Sequence, residues 1–250
     1  MSINPQILLS INVPALTSGD AARSSARNTI IQQLASELEQ HEFVATWILH
    51  DQRLDDVRLL TESISLPQEI SLALSQKNQQ SQPALFSRTL SDLQSRSRNL
   101  GVRITTLSTN HSIKDRNLRL LVKHRISMVN QHCGIHSGKK STRVMEPSSL
   151  RFGIWEVPAP LQWVKQLTNP VRELVLKSNM HFKTPRAFQH IQIDIQAMLE
   201  NNISILKIKS LLRALNRTRL RGKIDVTPIR SAATLLRHLQ TTNRQYFPAA

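Results

Sequence analysis

Two spacings of apolar residues alternate along the chain. Gln6 to Val13, QILLSINV, is a short apolar run closed by Pro14 and a Thr/Ser/Gly/Asp cluster, the pattern of a buried strand with a turn behind it. Between Asn28 and Gln40 the spacing becomes one helical turn, with Ile30, Ile31, Leu34 and Leu38 on a single face, which predicts an amphipathic helix. Phe43 to Leu49, FVATWIL, returns to strand chemistry through its β-branched and aromatic residues. The unit then repeats. A helix is expected over Asp55 to Ser63, a strand over Glu69 to Leu74, and a Gln/Ser/Asn-rich loop from Ser75 to Gln82. Leu85, Phe86, Leu90 and Leu93 mark the next helix, stopped near Gly101. Val102 to Leu107 reads as a strand, Arg116 to His124 as a helix and Ile126 to Val129 as a strand. Strands alternating with helices in units of this size imply a parallel sheet joined by right-handed helical crossovers.

Beyond this point the pattern loosens. Residues 134–149, GIHSGKKSTRVMEPSS, carry Gly, Ser, Lys and Pro without periodicity and are expected to form an exposed loop. Arg151 to Val157 resumes as a strand. A helix follows Pro170 to about Ser178; a second aligns Phe188, Ile191, Ile195, Met198 and Leu199; a third aligns Ile205, Ile208, Leu211, Leu212 and Leu215. A last strand, Lys223 to Thr227, precedes a helix over Ser231 to Leu239 and a tail at 240–250.

At 250 residues, 40% hydrophobic and 20% charged, the chain is expected to fold as one α/β domain over 1–250. No apolar stretch reaches the roughly 20 residues needed to span a bilayer, and the first residues lack the basic start of a secretory signal. Cys133 stands alone, so no internal disulfide can form, and a cytoplasmic, reducing location fits.

Several strings, taken in order over about residues 5 to 235, resemble the polysaccharide deacetylases. HEFVATWILHD at 41–51 is similar to the family's second strand, and PQEISLALSQK at 67–77 to its third-strand histidine motif. Asn179-Met180-His181 resembles the late catalytic strand and GKIDVTPIRSAATLL, from Gly222, the closing segment. The resemblance implies a distorted parallel (β/α) barrel of the deacetylase type, acting on acetylated glycans. It also implies a metal held by a first-strand aspartate and two third-strand histidines. Here Asn12 and Val13 stand in place of the aspartates, and Ala73 and Lys77 in place of the histidines. Neither Val nor Ala can ligate an ion, and three protein donors are needed to hold one and acidify its water. His181 alone matches a catalytic position, the general acid. The expectation is a degenerate member that binds a glycan or serves in assembly, with no metal and no cofactor. An active deacetylase with a rearranged site around His181 is the alternative.

In a parallel barrel, residues just past the strand ends line one shared mouth. Asn12, His50, Asp51, His111, His132, His136 and Trp155 are the candidates there. Imidazole with carboxylate suits zinc-like ions, but His132 and His136 straddle Gly134, so ordinary loop histidines are the simpler reading. Cys133 beside His132 has no oxyanion or third-group signature to make it a nucleophile. Trp155 and Trp163 flank Pro158-Ala159-Pro160, where an aromatic ring either stacks on a sugar or packs the turn.

The net charge of +16 lies in the second part of the chain. Residues 1–100 hold 8 basic and 10 acidic side chains, and residues 101–250 hold 25 and 7. Lys207, Lys209, Arg213, Arg217, Arg219, Arg221 and Lys223 follow one another with no acidic residue between them, and Arg230 comes a little later. Arg213, Arg217 and Arg221 recur at one-turn spacing and are the candidate anion-binding residues. A basic adaptor contacting an acidic partner, or nucleic acid without sequence readout, is therefore a further alternative.

Overall fold

The computed structural model describes residues 4–15, 21–50, 54, 56–74, 82–109, 113–131, 147–157, 161–162, 188–200 and 204–236. The elements in chain order are β1 (Gln6–Val13), α1 (Ala21–Gln40), β2 (Thr46–His50), α2 (Asp56–Ser63), β3 (Glu69–Ala73) and α3 (Pro83–Asn99). Then come β4 (Thr106–Thr109), α4 (Asp115–Lys123), β5 (Met128–Gln131), β6 (Ser148–Ser149), β7 (Trp155–Val157), β8 (Leu161–Gln162) and β9 (Phe188–Asp194). The chain continues through α5 (Ile195–Glu200), α6 (Ile205–Leu220), β10 (Asp225–Thr227) and a closing helix over 229–236.

The strands form a curled, mostly parallel half-barrel in the order β6-β7-β5-β4-β3-β2-β1-β9-β8, with β10 paired to β1 off this path. Among the described residues only the pairing of β6 with β7 is antiparallel. β1 is the hinge of the sheet: it pairs along Gln6–Asn12 with β9, while β10 takes Gln6–Leu8 and β2 takes Ser10–Val13. All eight of its residues are buried, the polar Gln6, Ser10 and Asn12 included, so the strand is covered on both faces.

Alternation along each strand divides the sheet into two chemistries. Ile7, Leu9, Ile11, Val13, Trp47, Leu49, Ile70, Leu72, Val129, Ile191 and Ile193 share one cluster with α1, α3, α4 and α6, the layer outside the sheet. The opposite face holds Leu8, Met128, Trp155, Val157 and Phe188, which close a second cluster with Ile229, Ala232, Ala233 and Leu236 of the closing helix. Strands as distant in the sheet as β7 and β9 thus share one cluster with the closing helix. The helices are tied down by a few specific bonds. Arg27 of α1 grips Asp56 of α2 through both guanidinium nitrogens at 3.0 and 3.1 Å, and Gln94 of α3 donates to the carbonyls of Ile104 and His124. Gly101 and Gly222, at φ 72° and 64°, end α3 and α6 in the left-handed conformation that a side chain would resist.

The structure corrects several expectations. Residues 188–199 are not one helix: Phe188–Asp194 is a strand, and only Ile195–Glu200 is helical. The sequence carries the reason, since Ile191 and Ile193 alternate with His190, Gln192 and Asp194 and bury one face while those three occupy the other. α1 begins at Ala21 rather than Asn28, because its first turns are exposed and carry no apolar periodicity. Between Arg151 and Val157 the strand is confined to Trp155–Val157, preceded by a 3-10 turn with Phe152 at φ 62°. β4 starts at Thr106, four residues later than expected. Within the expected loop at 134–149, Ser148–Ser149 forms β6; the rest up to residue 146, the helix after Pro170 and the tail at 240–250 lie outside the described residues. No helix among the described residues is long and apolar enough to cross a membrane.

Candidate functional site

The inner face changes character along the strands. At the base, where the parallel strands begin, Thr46, Glu69 and Thr106 are the first residues of β2, β3 and β4. The Glu69 carboxylate is 2% exposed and accepts from the Thr46 hydroxyl at 2.6 Å, from the Thr106 hydroxyl and from the Arg230 backbone N–H at 2.9 Å. Thr46 Oγ1 accepts in turn from the Ile229 N–H at 2.8 Å. Two of the first N–H groups of the closing helix are thus satisfied inside the sheet by a carboxylate and a hydroxyl, as a capping side chain would satisfy them. Burial pushes the Glu69 carboxyl above the ordinary glutamate range, against the opposing pull of the Arg230 N–H and the two threonine hydroxyls.

Farther along the strands the inner face carries Ser10 and Asn12 of β1, Ser71 of β3, Ser108 of β4, Asn130 of β5, and His190, Gln192 and Asp194 of β9. All are buried apart from Asp194, which is half-buried. Ser10 Oγ lies 2.8 Å from His190 Nε2, and Asn12 Nδ2 donates to Asp194 Oδ1 at 3.4 Å. Asp194 Oδ1 also accepts the N–H groups of Gln196 and Ala197, the start of α5, so this carboxylate caps a helix while holding the asparagine. On the other side of the curl Asn130 Nδ2 donates to Ser108 Oγ at 3.2 Å, and Ser108 Oγ lies 3.4 Å from Ser71 Oγ. The carbonyl oxygens of Asn12 and Asn130 are buried, at residues 5% and 0% exposed, and accept no hydrogen bond among the described residues. Leaving such acceptors dry costs about 1–3 kcal/mol each. A ligand with O–H or N–H donors would relieve that cost.

Of the residues singled out from sequence, Asn12 lies on this face. His50, half-buried, ends β2 opposite Ala73. Trp155 sits elsewhere: it is 4% exposed at the start of β7, in the cluster under the closing helix, at the opposite end of the strand from the mouth. Asp51, His111, His132, His136 and His181, with Cys133, Trp163 and Lys77, lie outside the described residues. Arg213, Arg217 and Arg221 are exposed on and just after α6, on the outer layer and away from the inner face. Sequence reading missed Ser10, Glu69, Ser71, Ser108, Asn130, His190, Gln192 and Asp194.

The positions where the family resemblance would put a metal do not suit one. Val13 packs in the outer cluster, Ala73 ends in a methyl group, and the Asn12 amide nitrogen is engaged with Asp194. His190 and Asp194 stand four residues apart on one strand, about 13 Å along it, too far to share an ion. Among the described residues no three His, Cys, Asp or Glu side chains come together as a metal site.

No family model and no curated protein matches the chain in sequence. Its fold does have relatives among solved structures. A 4-alpha-glucanotransferase from Thermococcus litoralis is similar with a TM-score of 0.61 at 12% identity, over 92% of this chain and 40% of that one. A CE4 family pseudoenzyme from Bacillus anthracis is similar with a TM-score of 0.52 at 11% identity, over 93% of this chain and 66% of that one. A mutant of that pseudoenzyme with restored enzymatic activity gives 0.53 at 10% identity, over 93% and 69%. At such identities the likeness is one of fold. The expected distorted parallel (β/α) barrel of deacetylase type agrees with the mostly parallel, curled half-barrel observed.

Proposed function

We propose that this protein binds a neutral, N-acetylated glycan on the polar inner face of its half-barrel and does not hydrolyse it. The observation that carries the reading is the pair of buried carbonyls of Asn12 and Asn130, which accept no hydrogen bond among the described residues, on a face that otherwise carries hydroxyl, amide and imidazole groups and the half-buried Asp194. Sugar hydroxyls and acetamido N–H groups are donors of the kind those carbonyls lack, and they carry no charge to desolvate. The same face offers Ser10, Ser108 and Gln192 for orientation, the usual role of a few polar groups in a ligand site. Hydrolysis is not part of the reading, because the replacements at Asn12, Val13 and Ala73 remove the donors that would activate water. His181 stays as the one general-acid candidate, and the lone Cys133 supports a cytoplasmic location.

Calorimetric titration with chito-oligosaccharides of increasing length tests this directly. Saturable binding is expected, weakened about tenfold by Asn12→Ala or Asn130→Ala, with no acetate released. Metal-dependent release of acetate that disappears in His181→Ala would replace the proposal with a hydrolase. Absence of binding to any N-acetylated oligosaccharide would remove it.

A further inference from the structure

The solvent-facing ridge of α6 combines charge and apolar contact in a way the glycan reading does not use. Leu206, Ser210, Arg213, Arg217 and Leu220 are all exposed, and they succeed one another at steps of four, three, four and three residues. At 3.6 residues per turn the four larger side chains fall within an arc of about 60°, in a line about 21 Å long. Leu206 and Leu220, 70% and 73% exposed, stand at its two ends and the two arginines between them.

Two other cations of the helix are committed to the fold. Lys209 pairs with Glu37 of α1 at 2.8 Å, and Arg219 donates to the carbonyls of His41 and Glu42 with its guanidinium 4.8 Å from the Phe43 ring centre. Arg213 and Arg217 have neither a hydrogen bond nor an ion pair among the described residues. These ties also fix the helix about its own axis, so the ridge is held facing outward.

We propose that this ridge docks an acidic amphipathic helix of another protein, with apolar residues at either end of its contact line and carboxylates between. The alternating steps of three and four are the seam that one helix presents to another, narrower than the broad apolar face of a helix lying on lipid. A second copy of the chain is a poor occupant, because pairing two such ridges sets arginines against arginines in either direction. Nucleic acid would leave both leucines against phosphate or water, and the ridge has no aromatic residue on which a base could stack.

The probes are two synthetic amphipathic peptides, identical except that one carries Glu and the other Lys at the two central ridge positions, each with Leu at both ends. Fluorescence anisotropy should show the Glu peptide binding, more weakly as salt rises, and the Lys peptide not binding. The double charge reversal Arg213→Glu with Arg217→Glu should exchange that preference, and Leu206→Ser with Leu220→Ser should weaken the Glu peptide about tenfold. All four positions are exposed, and circular dichroism should find each variant folded. The proposal is overturned if the Glu peptide does not bind or binds the charge-reversed protein equally. It is also overturned if phosphatidylglycerol vesicles or duplex DNA are captured through the arginines while the Glu peptide is not.

Discussion

Two parts of the same inner face use buried polar groups in opposite ways. Around Glu69, each side-chain oxygen of Thr46, Glu69 and Thr106 takes part in a hydrogen bond, and two backbone N–H groups of the closing helix complete the set. Farther up the strands, Asn12 and Asn130 each use the amide nitrogen and leave the carbonyl without a donor among the described residues. A satisfied network in a low-dielectric interior fixes one arrangement of chain, whereas unmet acceptors are a cost the free protein carries. The Glu69 network thus serves closure and the asparagine face offers acceptors to a ligand, although Gln6 at the start of β1 also leaves its Oε1 without a partner among the described residues. Residues of the base should govern stability, and residues of the upper face should govern binding.

The largest effect that would break this contrast is in Glu69→Ala. It strands two buried hydroxyls and an N–H, and should cost about 3 kcal/mol or more in urea denaturation. A loss under about 1 kcal/mol would mean the closing helix does not depend on the carboxylate. Asn12→Ala and Asn130→Ala should do the reverse. Each removes a dry acceptor along with one bond, so stability should change by no more than about 1 kcal/mol while glycan affinity falls about tenfold.

Titration sharpens the comparison further. In Glu69 the folded carboxyl keeps its proton above the ordinary value of 4.5, so its contribution to stability is full below that value and is lost as pH rises through the folded one. His41 behaves in the opposite sense. Burial holds its imidazole below 6.5; Glu37 opposes this, and Arg213 and Arg219 add to it. Its contribution is therefore present above 6.5 and lost as pH falls through that value towards the folded one. Between these limits Glu69→Gln should make the pH dependence of urea stability more positive, and His41→Gln should make it more negative. Equal slopes in both variants and the parent would contradict the assignment. The smallest effect belongs to the outer layer: Arg213→Glu with Arg217→Glu should leave the unfolding free energy from urea denaturation within about 0.5 kcal/mol of the parent.

How much of this was legible beforehand depends on how far each signal lies from its partner in sequence. β1, β3, α2, α3, α4 and α6 declare themselves through local periodicity, and the alternation of strand and helix was enough to imply a parallel sheet. Asn12 could be singled out because an amide at the end of an apolar strand is conspicuous. The polar partners on β9 were hidden by a choice of period: Phe188, Ile191, Ile195 and Met198 fit a helix, while Ile191 and Ile193 alternating with polar residues fit the strand that forms. Read at period two, QHIQID would have delivered His190, Gln192 and Asp194 to one face. Glu69 was illegible for another reason. At the start of a short strand a glutamate reads as a surface residue, and its donors arrive from Thr46, Thr106 and Arg230, far away in the chain.

The division between closed base and open upper face is tested most directly by the side chains that define it. Isotopically labelled protein, titrated with an N-acetylated chito-oligosaccharide, should show the side-chain amide resonances of Asn12 and Asn130 moving together to saturation. That of Gln94, whose amide already donates to Ile104 and His124, should stay in place. If neither asparagine responds, or Gln94 moves as far as they do, the upper face is not the binding site.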